Sequence, residues 1–360
     1  MKNKKNKISI CTGGTGGHIF PAQALGDYLL ENNYEINVLI DKRGLKQNIH
    51  WNPKIKIFEI SSLGLHKKNI FFILKMMFFF TIGMLQSLLI FLKNRPKVLV
   101  SFGGYSSIPP VLAAITLRIP IVMHEQNSVL GKAHKLFIKF TKVLAISFKD
   151  TICIPKGIKT IHTGLPIRSI FTNKQEYPLE DSSKLIILVS GGSQGANILG
   201  SNIADTFSLF KEDVQKNLKV YHQCRKELIE ETEKSWQKTK VEYIIKPFFN
   251  NIYDILKQSS LIIGRSGAST IAEINALHKM AIYIPFAKAA DNHQELNALN
   301  EVKYNGAKIL LEKDFTPQKL FMLVQECLNN KQNKEFKNIQ NQELALTKLK
   351  NIIENIISNR

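Results

Sequence analysis

The chain has 360 residues, 44% of them hydrophobic, with 49 Lys and Arg against 29 Asp and Glu, a net charge of +20. That length and apolar content suit two α/β domains with full cores rather than one small domain. The four cysteines, Cys11, Cys153, Cys224 and Cys327, form no C-x-x-C, which disfavours a disulfide or zinc framework and fits a reducing cytoplasm.

The positive balance fits an anionic membrane surface or compositional drift. No nucleic acid is expected as partner, since no aromatic–basic RNA motif or zinc spacing accompanies the charge. The basic start Met1–Lys7 is followed by only Ile8–Cys11 before glycines begin, too short an apolar run for a signal peptide.

In chain order, Ile8–Cys11 reads as a buried strand and Pro21–Leu30 as a helix that opens on proline, where a missing N–H costs nothing. Ile36–Ile40 and Val98–Ser101 read as strands, Ile108–Leu117 as a helix, and Ile121–Met123 and Val143–Ile146 as short strands. The polar stretch Thr172–Lys184, with Pro178 and no apolar periodicity, marks a linker. The pattern then restarts with strands at Leu185–Val189, Val220–His222, Val241–Ile245, Leu261–Ile263 and Ile282–Ile284. A helix is expected from Thr316-Pro317 and a terminal one over Leu344–Ile357. Strands alternating with helices predict parallel sheets with helices on their faces.

The run Ile70–Leu92 is long enough to span a bilayer at ~1.5 Å per residue. It contains Lys75, and both of its flanks are basic. A span would also put the first two glycine turns on opposite sides of a membrane. A partly buried helix whose outer face lies on the membrane is the better expectation, with a purely internal helix as its competitor.

Three turns carry the chemistry: Gly13-Gly14-Thr15-Gly16-Gly17-His18, Gly103-Gly104-Tyr105-Ser106-Ser107 and Gly191-Gly192-Ser193-Gln194-Gly195-Ala196. Each follows a strand and precedes a helix, whose bare N–H groups attract anions. A dinucleotide fingerprint started at Gly14 fails, because Ile19 stands where its last glycine belongs, although Asp41 sits where a ribose-binding acid would. His18, at a helix start, is a candidate base kept neutral by the helix end, or merely a hydrogen-bonding partner of the turn. Glu125, in His124-Glu125-Gln126-Asn127 after a strand, is a second candidate base. Arg168 suits a phosphate. Glu273, early in the helix after Gly264-Arg265-Ser266-Gly267, suits a ribose diol, and Asp291–Asn297 is rich in groups that bind sugar hydroxyls. No D-x-D is present, so a leaving diphosphate would fall to helix ends and cationic side chains, with no metal and no cofactor.

The stretches 13–22, 101–110, 124–133, 163–168, 191–196, 265–273 and 291–298 together resemble the MurG family, peripheral membrane N-acetylglucosaminyltransferases of bacterial wall synthesis. The resemblance implies an α/β GT-B fold, two Rossmann-like domains facing across a cleft. Residues 1–168 would be the acceptor and membrane-docking domain, 169–183 the linker, 184–342 the UDP-GlcNAc-binding domain, and 343–360 a terminal helix packing back on the first domain. It implies inverting transfer of GlcNAc from UDP-GlcNAc to the 4-hydroxyl of MurNAc in undecaprenyl-pyrophosphoryl-MurNAc-pentapeptide, lipid I, on the cytoplasmic face of the inner membrane.

By position, the donor contacts implied are Thr15, Gly16, Gly17, Asn127, Arg168, Ser193, Phe249, Ala268, Ser269, Thr270, Ile271, Ala272, Glu273, Gln294 and Asn297. Phe249 would act through its backbone, Glu273 on ribose, and Gln294 with Asn297 on GlcNAc. Gly14, Gly103, Gly104 and Tyr105 would lie near the acceptor pyrophosphate. The alternatives weighed are a UDP-GlcNAc epimerase, which needs no lipid, a non-catalytic scaffold, and a nucleic-acid binder.

Overall fold

The computed structural model describes residues 6–14, 16–47, 49–64, 69–171, 184–191, 197–329 and 342–359. The chain divides into two compact units, Met1–Ser169 with Asn341–Arg360, and Ile170–Gln340.

In the first unit the strands are β1 (Lys7–Thr12), β2 (Glu35–Ile40), β3 (Lys56–Glu59), β4 (Val98–Ser101), β5 (Ile121–Glu125), β6 (Thr141–Ile146) and β7 (Thr160–His162). They form one sheet in the order β3-β2-β1-β4-β5-β6-β7, every pair parallel. The central strands are buried on both faces, as in a sheet covered by helices on each side. One face packs Ile8, Ile10, Val38, Val98 and Val100 against Leu25 and Leu29 of the helix Gly16–Glu31 and against Leu349 and Ile353 of the terminal helix Gln342–Ser358. Tyr28 with Thr347, and Tyr34 with Glu354, tie that terminal helix down by hydrogen bonds. The other face packs Cys11, Leu99, Ile121 and Met123 against Phe91 and Val111.

In the second unit, β8 (Leu185–Ser190), β9 (Leu218–Gln223), β10 (Glu242–Lys246), β11 (Leu261–Gly264), β12 (Met280–Tyr283) and β13 (Lys308–Ile309) form a parallel sheet in the order β10-β9-β8-β11-β12-β13. Its core gathers Phe207, Trp236, Ile263 and Val324.

Sequence and structure part at several points. The first helix begins at Gly16, so Pro21 lies inside it instead of opening it. The carbonyl that a proline leaves unpaired one turn back belongs to Gly17, an exposed residue. Strand β3 escapes sequence reading because only its Phe58 is even partly buried. Of the expected linker, Ser169–Phe171 forms a short 3-10 turn, and Phe171 packs edge-on against Tyr253 at 5.3 Å. The remainder, 172–183, lies outside the described residues.

The apolar helix Ile70–Lys93 is capped by Asn69, whose side chain accepts the Phe72 N–H at 2.8 Å. It buries only Gly83, Ser87 and Phe91, a stripe at i, i+4 and i+8. Phe71, Leu74, Met77, Phe78, Leu85, Leu89 and Leu92 stay exposed. The buried stripe is held closely. A Cβ on Gly83 would meet the Ser61 carbonyl, and Gln86 accepts the Ser61 N–H at 2.8 Å.

Asp27, half-buried on the first helix, has its carboxyl raised to about 6, chiefly by burial and then by Glu31. Its ordinary value is 3.8, so the folded state holds the proton across the window between the two values and stability declines as pH rises through it. Asp27→Asn is expected to raise Tm at neutral pH by a few degrees at most, since water screens much of the group. Below 3.8 the variant and the parent should melt together, which thermal denaturation across pH checks.

Candidate active site

In each sheet the strand order reverses once, at β1/β4 and at β8/β11. Ligands of open parallel sheets bind at the carboxyl ends of the strands flanking that reversal. In the first unit both flanking strands end in glycine turns, Gly13-Gly14 and Gly103-Gly104. Gly14, Gly103 and Gly104 have φ of +82°, +81° and +78°, a region other residues enter at a cost. The two turns touch, since a Cβ on Gly104 would lie 3.2 Å from the Gly13 carbonyl and 3.7 Å from the His18 ring. Asp41 holds the first turn. Its Oδ1 accepts the N–H of Gly14 at 3.2 Å and of Gly44 at 3.0 Å. That occupies the carboxylate that a nicotinamide reading would place on ribose.

His18 sits in the first turn of its helix, partly buried. Its Nδ1 lies 2.8 Å from the Phe102 carbonyl and 2.9 Å from Gln126 Oε1. A carbonyl oxygen can only accept, so Nδ1 carries the proton and Nε2 presents a lone pair. The surroundings enforce this tautomer. His124 Nε2 donates to the Gly164 carbonyl at 3.0 Å, so its Nδ1 accepts from Gln126 Nε2, which also donates to the His124 carbonyl at 2.7 Å. Gln126 thus turns its oxygen toward His18. Burial lowers the His18 pKa below the ordinary 6.5, against the opposing pull of Glu125, and keeps the ring neutral at pH 7. Burial likewise lowers His124 to about 4.

Glu125 is a correction to the reading of it as a base. It is 2% exposed, and both its oxygens are occupied. Oε1 accepts the Asn127 N–H at 3.0 Å, while Oε2 accepts the Gly131 N–H at 2.9 Å and faces His134 Nδ1 at 3.0 Å. Burial alone would raise its pKa, but His134 and the two N–H groups outweigh that and hold it below the ordinary 4.5. A buried, fully bonded carboxylate of lowered pKa is a poor proton acceptor. His134, which sequence reasoning did not single out, also packs on the second glycine turn. A Cβ on Gly103 would come 3.0 Å from its ring, and its Nε2 approaches Ser101 Oγ, the acceptor of the Gly103 N–H.

Gly16 and Gly17 open the His18 helix, and Tyr105 begins a 3-10 turn after Gly104, partly exposed. Asn127 is partly buried at the end of β5. Arg168 stacks its guanidinium over Phe20, 5.1 Å from the ring centroid. Thr15 lies outside the described residues.

In the second unit, β11 passes through Arg265-Ser266-Gly267 into the helix Ala268–Ala276, so Ala268, Ser269, Thr270, Ile271, Ala272 and Glu273 form its first turns. The earliest N–H groups of that helix have no intrahelical partner. Among the described residues Ser269 Oγ is buried without a hydrogen bond, and Glu273 is partly exposed. Arg265 pairs with Glu312 and donates to the Ile284 carbonyl at 2.8 Å, fixing the loop after β12. Asp291 and Asn292 both adopt left-handed φ just before the helix His293–Asn305, a strained pair of the kind that persists at functional sites. Gln294 Oε1 accepts the Phe286 N–H at 3.0 Å. Phe249 buries its ring against Tyr221, 5.8 Å between centroids. Asn297 is fully buried, and its amide donates to the Ser266 carbonyl at 3.1 Å, which braces the turn. Ser193 and the rest of 192–196 lie outside the described residues.

Two units, each built on a parallel, Rossmann-like sheet, have the architecture of the glycosyltransferase GT-B class. Models of the glycosyltransferase family 28 N-terminal and C-terminal domains match residues 8–146 and 186–356. The crystal structure of Acinetobacter baumannii MurG superposes with a TM-score of 0.72 over 99% of this chain and 98% of that one, at 24% identity, a likeness of fold. Two curated proteins named UDP-N-acetylglucosamine–N-acetylmuramyl-(pentapeptide) pyrophosphoryl-undecaprenol N-acetylglucosamine transferase are also similar. The one from Paramagnetospirillum magneticum is 32% identical over 89% of this chain and 87% of its own length. The one from Bartonella bacilliformis is 36% identical over 90% and 85%. The chain belongs to this family, the MurG transferases within glycosyltransferase family 28.

Proposed function

We infer that the chain transfers GlcNAc from UDP-GlcNAc to lipid I, making lipid II. Its family membership supports the reaction, and the fixed tautomer of His18 is the observation that supports a mechanism. His18 Nε2 takes the proton from the 4-hydroxyl of MurNAc as that oxygen attacks the anomeric carbon. The bond from that carbon to the UDP oxygen breaks in the same displacement, and UDP leaves with the electron pair. A single displacement inverts the anomeric centre. The first unit supplies the base and, around Gly14, Gly103, Gly104 and Tyr105, the acceptor side. The second unit supplies the donor side through the helix start at Ala268–Glu273, Gln294 and the Phe249 backbone. The developing charge on UDP is met by helix N–H groups and Arg168.

The reading also places the protein on an anionic membrane surface. The helix Ile70–Lys93 is long and apolar enough to cross a bilayer. Yet β1 before it and β4 after it pair in one sheet, from Ile8 with Val98 to Cys11 with Ser101. A crossing helix would part those strands, so the helix lies along the surface with Phe71, Phe78 and Leu89 inward to lipid.

The test is transfer of labelled GlcNAc from UDP-GlcNAc to a lipid I analogue. Disaccharide-lipid product is expected. Release of free or epimerised sugar irrespective of lipid would overturn the assignment. For docking, Phe71→Ser with Phe78→Ser should weaken sedimentation with anionic vesicles by about tenfold or more, given ~1.5–3 kcal/mol per buried aromatic. Unaltered sedimentation would remove the helix from the surface.

A further inference from the structure

At the amino ends of β5, β6 and β7, the sheet edge opposite the glycine turns, the first unit holds a cavity of about 590 Å³. Its volume is that of a small-molecule site. Buried Ile119, Ile121, Val143 and Ile352 make its floor, with Ile161 and Ile356 beside them. Its rim carries three exposed cations, Arg118, Lys142 and Lys159, and among the described residues its lining holds no Asp or Glu.

Two backbone irregularities place those cations. The register of β5 with β6 slips between Ile121 and Val122, whose partners are Thr141 and Val143, so Lys142 is the extra residue of a bulge. Thr141 Oγ1 braces that bulge through the Ile121 and Val143 carbonyls, at 3.1 and 2.9 Å. Bulges re-aim side chains and recur beside sites. Arg118 ends the helix Ile108–Thr116 at φ +53°, where glycine is the usual occupant. Lys142 and Lys159 make no ion pair among the described residues.

An apolar floor does not suit a free phosphate or a nucleotide, and a cationic rim does not suit a neutral hydrocarbon. The rim also adjoins the apolar helix. Arg95, just past its end, donates to the carbonyl of Leu117, the neighbour of Arg118, at 2.9 Å. We propose that this cavity takes one acyl chain of an anionic membrane phospholipid, with the phosphate on Arg118, Lys142 and Lys159. The inference deepens the membrane reading above, but it stands on the cavity rather than on the exposed helix.

Titration calorimetry with palmitoyl lysophosphatidate below its micelle concentration tests it on the full chain. Saturable one-to-one binding is expected. Palmitoyl lysophosphatidylcholine should bind more weakly, and glycerol phosphate should not bind detectably. Ile356→Trp, which fills the cavity, should abolish binding. Lys142→Glu with Lys159→Glu, both at exposed sites, should weaken it by roughly tenfold or more, the scale of a lost charge-assisted bond. Transfer to a water-soluble acceptor should be unchanged in both variants. The Phe71→Ser, Phe78→Ser protein should still bind lysophosphatidate while losing vesicles, which separates failure of the cavity from failure of the docking helix. Absence of saturable binding, undiminished binding by Ile356→Trp, or equal binding of glycerol phosphate would each overturn the proposal.

Discussion

His18→Ala lowers kcat by about 100-fold or more, with the KM for UDP-GlcNAc little changed. That is the scale on which general-base loss registers. The expectation rests on one lone pair. The Phe102 carbonyl fixes the proton on Nδ1, and the relay from Gly164 through His124 and Gln126 keeps a second acceptor facing it. The pH dependence follows with a definite sign. Burial lowers the His18 pKa, so the neutral base persists to below 6.5 and activity falls only as pH drops through that lowered value. In His18→Ala the acid limb of the pH–rate profile should vanish along with the rate. A second variant separates positioning from chemistry. Gln126→Leu leaves the imidazole and the Phe102 contact in place but removes one tautomer-fixing acceptor, so its loss should be smaller and its acid limb should persist. A His18→Ala enzyme with near-parental kcat would move the base elsewhere.

The glycine turns were legible in the sequence because little else can occupy the φ of Gly14, Gly103 and Gly104, and because buried strands precede them. The two parallel sheets follow from the alternation of strands and helices, although the order of their strands does not. Function was less legible wherever one residue type serves two purposes. An amide such as Asn297 has the same look whether it meets a sugar or a backbone carbonyl. Glu125 reads as a second candidate base because it follows a strand, but its partners Gly131 and His134 lie six and nine residues on, through a turn that local pattern does not foretell. Gln126 stood in a motif already noted, yet its part in fixing His18 spans 108 residues of sequence. Strands β3 and β7 were missed because they are short edge strands with little buried apolar surface to announce them.

His134→Ala is expected to destabilise the first unit by about 1–3 kcal/mol, the cost of leaving a buried acceptor, Glu125 Oε2, short of a hydrogen-bond donor. His134 and Glu125 are each 3% exposed at the side chain and 3.0 Å apart. The imidazole also fills the space under Gly103, so truncation removes both the partner of Glu125 and the floor of the second glycine turn. A lower Tm and a raised KM for the acceptor should therefore appear together. Glu125→Gln discriminates between bracing and catalysis. The amide keeps one oxygen for the backbone N–H of Asn127 or Gly131 but must offer an NH2 where the other acceptor stood. If Glu125 only braces, Tm falls, and the residual enzyme, measured well below its melting point, keeps the acid limb that His18 sets. If Glu125 were the base, the same variant would in addition lose about 100-fold in kcat, and the limb would go with it. The geometry favours the first outcome, because no oxygen of Glu125 is left to receive a proton from a substrate without first releasing a buried donor.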